Sequence, residues 1–265
     1  MNPAIAIRMV GADFLKLRKK RGTLIWALVL TLAPLLIFFI VKALQHSSSP
    51  AEHSPAGGVS GYTDALRVLA FFFGPLAAIM IGTDGGAGDL AAGVFRDLVV
   101  TGRSRLALFA SRIPAAVGLT WLVVLAGYVL TLIATYALAS GAPTPGGALV
   151  LNGLLFTLFS TGVICVVAVG FASLTGSRPA ALTVLIGWQL IASRILENIE
   201  SLGSSRELIL SQAIVHFSPI SLNDGHGPRG GATVTMSTGT AVAVTLGWVV
   251  IFGGLGAWRT RTMDA

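Results

Sequence analysis

Between Arg21 and Lys42 the chain runs through 20 residues without one Asp, Glu, Lys or Arg. Roughly that length of helix crosses the hydrocarbon of a bilayer, because inside lipid every backbone N–H and C=O must be satisfied within the segment. Comparable apolar runs recur over 62–83, 113–138, 149–174, 179–193 and 238–258. Only 11% of the 265 residues are charged and the mean hydropathy is +0.82, whereas water-soluble domains carry about 25% charged residues. Lipid is therefore the expected solvent. The expected fold is an all-α membrane protein with six transmembrane helices and both termini in the cytoplasm. A chain of this length holds one membrane domain, 1–265, and has no room for a separate soluble catalytic domain.

The polar segments between these runs are each readable. Ile7, Val10, Phe14 and Leu17 recur at three- and four-residue spacing, with Arg8, Lys16, Lys19 and Lys20 elsewhere around the wheel. This predicts an amphipathic helix over 1–22, lying in the membrane interface. The basic stretch over 8–21 is too long for a cleavable signal peptide and lacks a small-residue cleavage site, so the run after it is expected to be a permanent span. The run over 62–83 contains Asp64 and Arg67, and Arg67 is expected to snorkel to the interface. Pro114 falls in the expected first turn of the third span, where a missing N–H costs little. Residues 84–112 are polar and glycine-rich, and read as a cytoplasmic loop. The long segment over 194–237 carries two apolar stripes, Ile195, Ile199 and Leu202, then Leu208, Ile209, Ala213, Val215 and Phe217. These predict two short outer helices, either re-entrant or flat on the membrane.

Charge sets the orientation. With the N-terminus inside, Arg8, Lys16, Arg18, Lys19, Lys20, Arg21, Arg96, Arg103, Arg105, Arg112, Arg178, Arg259 and Arg261 face the cytoplasm, and Lys42, Arg67, Arg194, Arg206 and Arg229 face out. That is 13 against 5, the bias that positive-inside topology requires. The same bias accounts for the net charge of +7, so nucleic acid is not an expected partner. The expected location is a cell membrane, of the bacterial inner-membrane kind.

No catalytic or metal-binding constellation is present in the sequence. All four histidines (His46, His53, His216, His226) fall on the outer side without metal-ligand spacing. The single cysteine, Cys165, lies inside an apolar run and reads as a small buried hydrophobe. A Gly-x-Ser-x-Gly elbow and a phosphate-binding loop are both missing. The Gly86-Ala-Gly88 stretch follows a membrane span and not a strand, so it is no dinucleotide fingerprint. Asp84 and Asp89 read as solvated loop residues. In the fifth span Gln189 and Arg194 are the strongly polar residues, and Arg194 is spaced to pair with Glu197. The chain is therefore expected to be no enzyme by itself and to hold no cofactor.

The loop over 84–112 is the most informative stretch. It reads Asp89-Leu-Ala-Ala-Gly93-Val-Phe-Arg96-Asp97-Leu-Val-Val-Thr-Gly102-Arg-Ser104-Arg105, with Arg112 at the next span. Leu90, Val94 and Leu98 repeat at helical spacing and predict a short amphipathic helix over 90–101, presented to the cytosol.

With the basic N-terminal helix and six spans, this arrangement resembles the permease subunits of type-2 (exporter-type) ABC transporters. Those carry an acidic residue four positions before a Gly-Thr pair, an apolar run, a small-x-Ser-Arg turn and a basic residue at the next span. Here Asp89 stands for Glu, Gly93-Val94 for Gly-Thr, Gly102 to Arg105 for the turn, and Arg112 for Lys. The resemblance implies a permease that works with a separate cytosolic ATPase, which binds ATP and Mg. It also implies a second permease copy, as a homodimer or heterodimer. The helix over 90–101 would be the coupling helix. Asp89, Arg96, Asp97 and Arg105 would be its polar contacts, Leu90, Val94 and Leu98 its packing residues, and Gly93 and Gly102 its turns. The exported substrate would be a drug, peptide, lipid or glycan, with spans one, two and five as walls and Phe71, Phe72, Phe73, Trp188 and Gln189 along the path. An ion-coupled secondary transporter and a non-transporting scaffold or sensor subunit are the alternatives.

Overall fold

The computed structural model describes residues 3–94, 100, 102, 104–220 and 236–263. Helix is the only regular structure among them. An N-terminal helix, α1 (Pro3–Lys19), is followed by six helices long and apolar enough to cross a membrane: α2 (Arg21–Ser48), α3 (Gly58–Ala91), α4 (Arg105–Ala137), α5 (Gly147–Thr175), α6 (Arg178–Asn198) and α8 (Thr238–Thr262). A short α7 (Leu210–His216) precedes the last of them. The chain is a multi-pass membrane protein, and each of the six apolar runs is one of these helices.

α3 is the central helix. Of its most apolar stretch 72% is buried, against 22% in α2, 11% in α6 and 22% in α8. Those three present Ile37 and Leu44, Val184 and Ile191, and Val250 and Ile251 outward, as helices with lipid for a neighbour do. α3 lies closest to α5, and the cause is glycine. A Cβ on Gly82 would sit 2.7 Å from the Ala168 Cβ and 2.8 Å from the Cys165 carbonyl oxygen, and Gly86 one turn on is equally crowded. Gly127 lets α4 approach Thr31 of α2 in the same way, whereas Gly118 only meets Phe14 at ordinary contact distance. Buried threonines inside the spans turn back on their own helices: Thr31, Thr157 and Thr161 each donate to the carbonyl four residues earlier at 2.7 Å. This satisfies hydroxyls that lipid cannot.

Both termini lie at one end of the bundle. There Lys16 meets Asp89, Arg178 meets Asp84, and Arg105 donates to the carbonyls of Arg261 and Met263. At the other end Gly57 N–H bonds the Leu138 carbonyl at 2.9 Å, Val59 N–H bonds Pro143 O at 2.8 Å, and His216 meets Thr238.

Several boundaries differ from expectation. The segment read as a loop over 84–112 is helical at both ends: α3 continues to Ala91, and α4 begins at Arg105, capped by Ser104 Oγ on the Ala107 N–H. Pro114 therefore lies well inside α4. α3 stops at a Schellman turn, with Gly93 at φ +69°, Gly93 N–H on Leu90 O and Val94 N–H on Asp89 O. A continuous helix from Leu90 is thus excluded, since the chain reverses hand at Gly93. Arg67 does not snorkel freely but pairs with Asp64 at 2.9 Å, and Lys42 closes on the same carboxylate at 2.6 Å. Of the two outer helices, only the second is an α-helix. Ile195 belongs to the last turns of α6, which ends at Asn198, and residues Glu200–Leu208 form a 3-10 segment broken at Gly203.

Two spans widen into π turns. In α3 it covers Val68–Phe73, where Gly74 N–H reaches back to Leu69 O; in α6 it covers Trp188–Ala192, where Ser193 N–H reaches Trp188 O. The first has a cause in sequence. Pro75 has no N–H and its ring clashes with the carbonyl four residues earlier, so the ordinary ladder is interrupted there.

Candidate functional site

A buried ionic cluster sits where the segment over 92–104 joins the bundle. Asp89, in the last turn of α3, is 4% exposed. Lys16 of α1 donates to both of its carboxylate oxygens, at 2.8 and 2.9 Å, and Arg112 of α4 donates to Oδ2 at 3.0 Å. Lys16 also binds Asp13, whose other oxygen accepts from Ser111 of α4 at 2.6 Å. Five residues earlier, Asp84 points about 140° around the helix and is 3% exposed. It pairs with Lys20 at 3.0 Å and with Arg178 of α6 at 2.9 Å, and accepts from Thr23 of α2. Asp13, Asp84 and Asp89 thus face Lys16, Lys20, Arg112 and Arg178, three negative charges against four positive ones. Burying a carboxylate is costly without such partners. Asp84 and Asp89 are therefore not the solvated loop residues their sequence context implied. They lock α3 to α1, α2, α4 and α6.

The loop residues divide into two groups. Asp89 is enclosed and spent, so it positions the root of the segment and does not itself reach out to a partner. Arg105 is spent on the carboxyl end of α8, where a cation is favoured. Ala92, Gly93, Val94, Val100, Gly102 and Ser104 are exposed, Val94 by 40% and Val100 by 80%. Leu90 is half-buried. Arg96, Asp97, Leu98 and Thr101 lie outside the described residues.

A second feature lies deeper. A cavity of about 190 Å³ opens between α3, α5, α6, α7 and α8. Phe71, Trp188 and Gln189 line it, so three of the five residues expected along a substrate path come together there. Phe72 instead lies under the Arg194 guanidinium, 4.9 Å from ring centre to Cζ, and Phe73 is outside the lining. Arg194 does not form the expected ion pair with Glu197. Glu197 is buried and accepts from Ser211, which ties α6 to α7. The cavity residues from α5, α7 and α8, such as Val167, Ile214 and Trp248, carry no signal in sequence beyond their apolar character.

No protein-family model matches the chain, and no curated protein matches it. Its chemistry is read from its own residues. Among the described residues no group of three or more His, Cys, Asp or Glu is placed to hold a metal ion.

Proposed function

We propose that the chain is the membrane-spanning permease subunit of an ATP-driven exporter, borrowing its ATPase from a separate cytosolic chain. The observation that carries the reading is the wiring of Asp84 and Asp89. A force applied to the segment over 92–104, whose described residues are exposed, enters α3 at Gly93, and four other helices are joined to that last stretch of α3 by ion pairs and a hydrogen bond to its carboxylates. Such a root transmits displacement to the bundle, where a loop on solvated side chains would absorb it. Val94 and Val100, exposed apolar residues at the basic end, supply a surface for a partner to cover. A partner drives the spans only if it grips the segment differently in its nucleotide states. On this reading the ATPase holds ATP and Mg, a second permease copy completes the path, and the membrane is a bacterial inner membrane.

The test is a mild-detergent purification of the tagged chain from native membranes, with vanadate-sensitive ATP hydrolysis assayed in the product. An ATPase in near-equal amount is expected, and it should be lost in the Val94→Asp, Val100→Asp double variant while the chain stays monodisperse. Purification without an ATPase, even after cross-linking, would shift the reading to a carrier or scaffold. Arg96→Glu should uncouple ATP turnover from transport, and unimpaired transport by that variant would also count against the assignment.

A further inference from the structure

The cavity within the bundle has an organisation that packing alone does not require. One wall is an aromatic ladder: Trp188 lies 5.7 Å from Trp248, Trp248 stacks on Phe252 at 5.3 Å and 26°, and Phe252 meets Phe171 edge-on at 5.7 Å. Trp248 is held in place by its indole N–H, which donates to Leu208 O at 2.9 Å. Phe71 stands on the α3 side. The π turns of α3 and α6 both border this cavity, the first through Phe71, the second through Trp188 and Gln189. π turns concentrate at functional sites.

The polar atoms are few, and they sort into two kinds. Ser160 is spent on the Ala70 carbonyl at 3.2 Å, and Ser211 on the Glu197 carboxylate. The Gln189 carboxamide and the Trp188 indole N–H have no hydrogen-bond partner among the described residues, although both side chains line the cavity. In a membrane such groups have no bulk water to turn to. No charged side chain lines the space. Val184 of α6 lines it and is 53% exposed, so the cavity borders the outward-facing surface of the least buried span.

We infer that this cavity binds an uncharged, lipid-soluble aromatic molecule carrying a carbonyl or similar acceptor. The ring stacks within the Trp188, Trp248 and Phe71 walls, and the acceptor takes the Gln189 amide or the Trp188 N–H. An acyl chain would fill the same volume but leave both groups unpaired. As a cargo site this rests on the exporter reading, whereas as a binding site it does not, and the experiment reads binding on the full chain without an ATPase.

The probe is prodan, a neutral naphthalene ketone, titrated into the full chain in phosphatidylcholine nanodiscs with energy transfer from tryptophan as the signal. A saturable component is expected. Gln189→Leu should weaken it about fivefold, the worth of one net hydrogen bond, and Val167→Phe should abolish it by filling the space. Size-exclusion profiles and melting temperatures establish that both variants fold. Prodan that only partitions as it does into protein-free nanodiscs overturns the site. Saturable binding that Gln189→Leu and Trp188→Phe both leave unchanged overturns the acceptor-bearing ligand class, and saturable binding that Val167→Phe leaves unchanged lies elsewhere and overturns the site.

Discussion

Asp84 and Asp89 differ in what holds them, and their energetics should differ accordingly. The side chain of Arg112 beside Asp89 is 2% exposed, whereas Lys20 and Arg178 beside Asp84 are 35% and 37% exposed and can turn to water if their partner is lost. Asp89→Ala removes the buried carboxylate that Arg112 donates to at 3.0 Å, one half of a buried ion pair, a change of about 3–5 kcal/mol. Asp84→Ala should cost about 1.5–3 kcal/mol, the scale of hydrogen bonds to a charged group. Melting followed by fluorescence-detected size exclusion should therefore rank wild type above Asp84→Ala above Asp89→Ala. The reverse order of the two variants would refute this reading of the cluster. Neither aspartate's role was legible in sequence. The Asp84-Gly-Gly-Ala-Gly88 stretch looks like a loop because each glycine costs a helix about 1 kcal/mol, and only the fit of Gly86 against α5 explains why the helix persists there.

At the scale of the element, sequence is clear about where helices are and poor about how they end. Charge-free runs of membrane length leave little choice of structure, so all six spans were readable. Their ends depend on particular partners: Ser104 starts α4 eight residues before the apolar run over 113–138, and Gly93 stops α3 beyond the run over 62–83. The π turns were not readable either, although Pro75 was in view, because proline in a membrane helix can be accommodated by a kink or by a widened turn. If Pro75 sets the π turn, Pro75→Ala should let residues 68–73 relax toward α-helix, raise the melting temperature and lower saturable prodan binding by rotating Phe71. An unchanged melting temperature together with unchanged binding would assign the turn to other packing. Gly82→Val tests the close approach of α3 and α5. It forces a branched side chain against the Ala168 methyl and the Cys165 carbonyl and should cost about 1–3 kcal/mol, whereas Gly247→Val, with nothing within 4 Å of its Cβ, should melt like wild type.

For the whole molecule, the geometry fixes which segments share an end, and the basic residues decide which side of the membrane that end faces. α1, the end of α3 at Asp89, the start of α4 at Arg105 and the end of α8 are gathered together, so they must lie on one side whichever way the bundle inserts. Lys and Arg concentrate there, and the positive-inside bias is the ground on which the proposed function puts that side in the cytoplasm. The exporter reading depends on this, since an ATPase can reach only cytoplasmic segments. Cys165, the one cysteine in the chain, is fully buried and gives a quiet background for labelling with a membrane-impermeant maleimide. Ser47→Cys, exposed at the far end of α2, should label in intact cells. Ala92→Cys and Thr262→Cys, exposed at the basic end, should label only after permeabilisation. The opposite pattern would turn the segment over 92–104 outward and remove the ATPase proposal, while leaving the cavity and its aromatic ligand untouched, because that site is built inside the bundle.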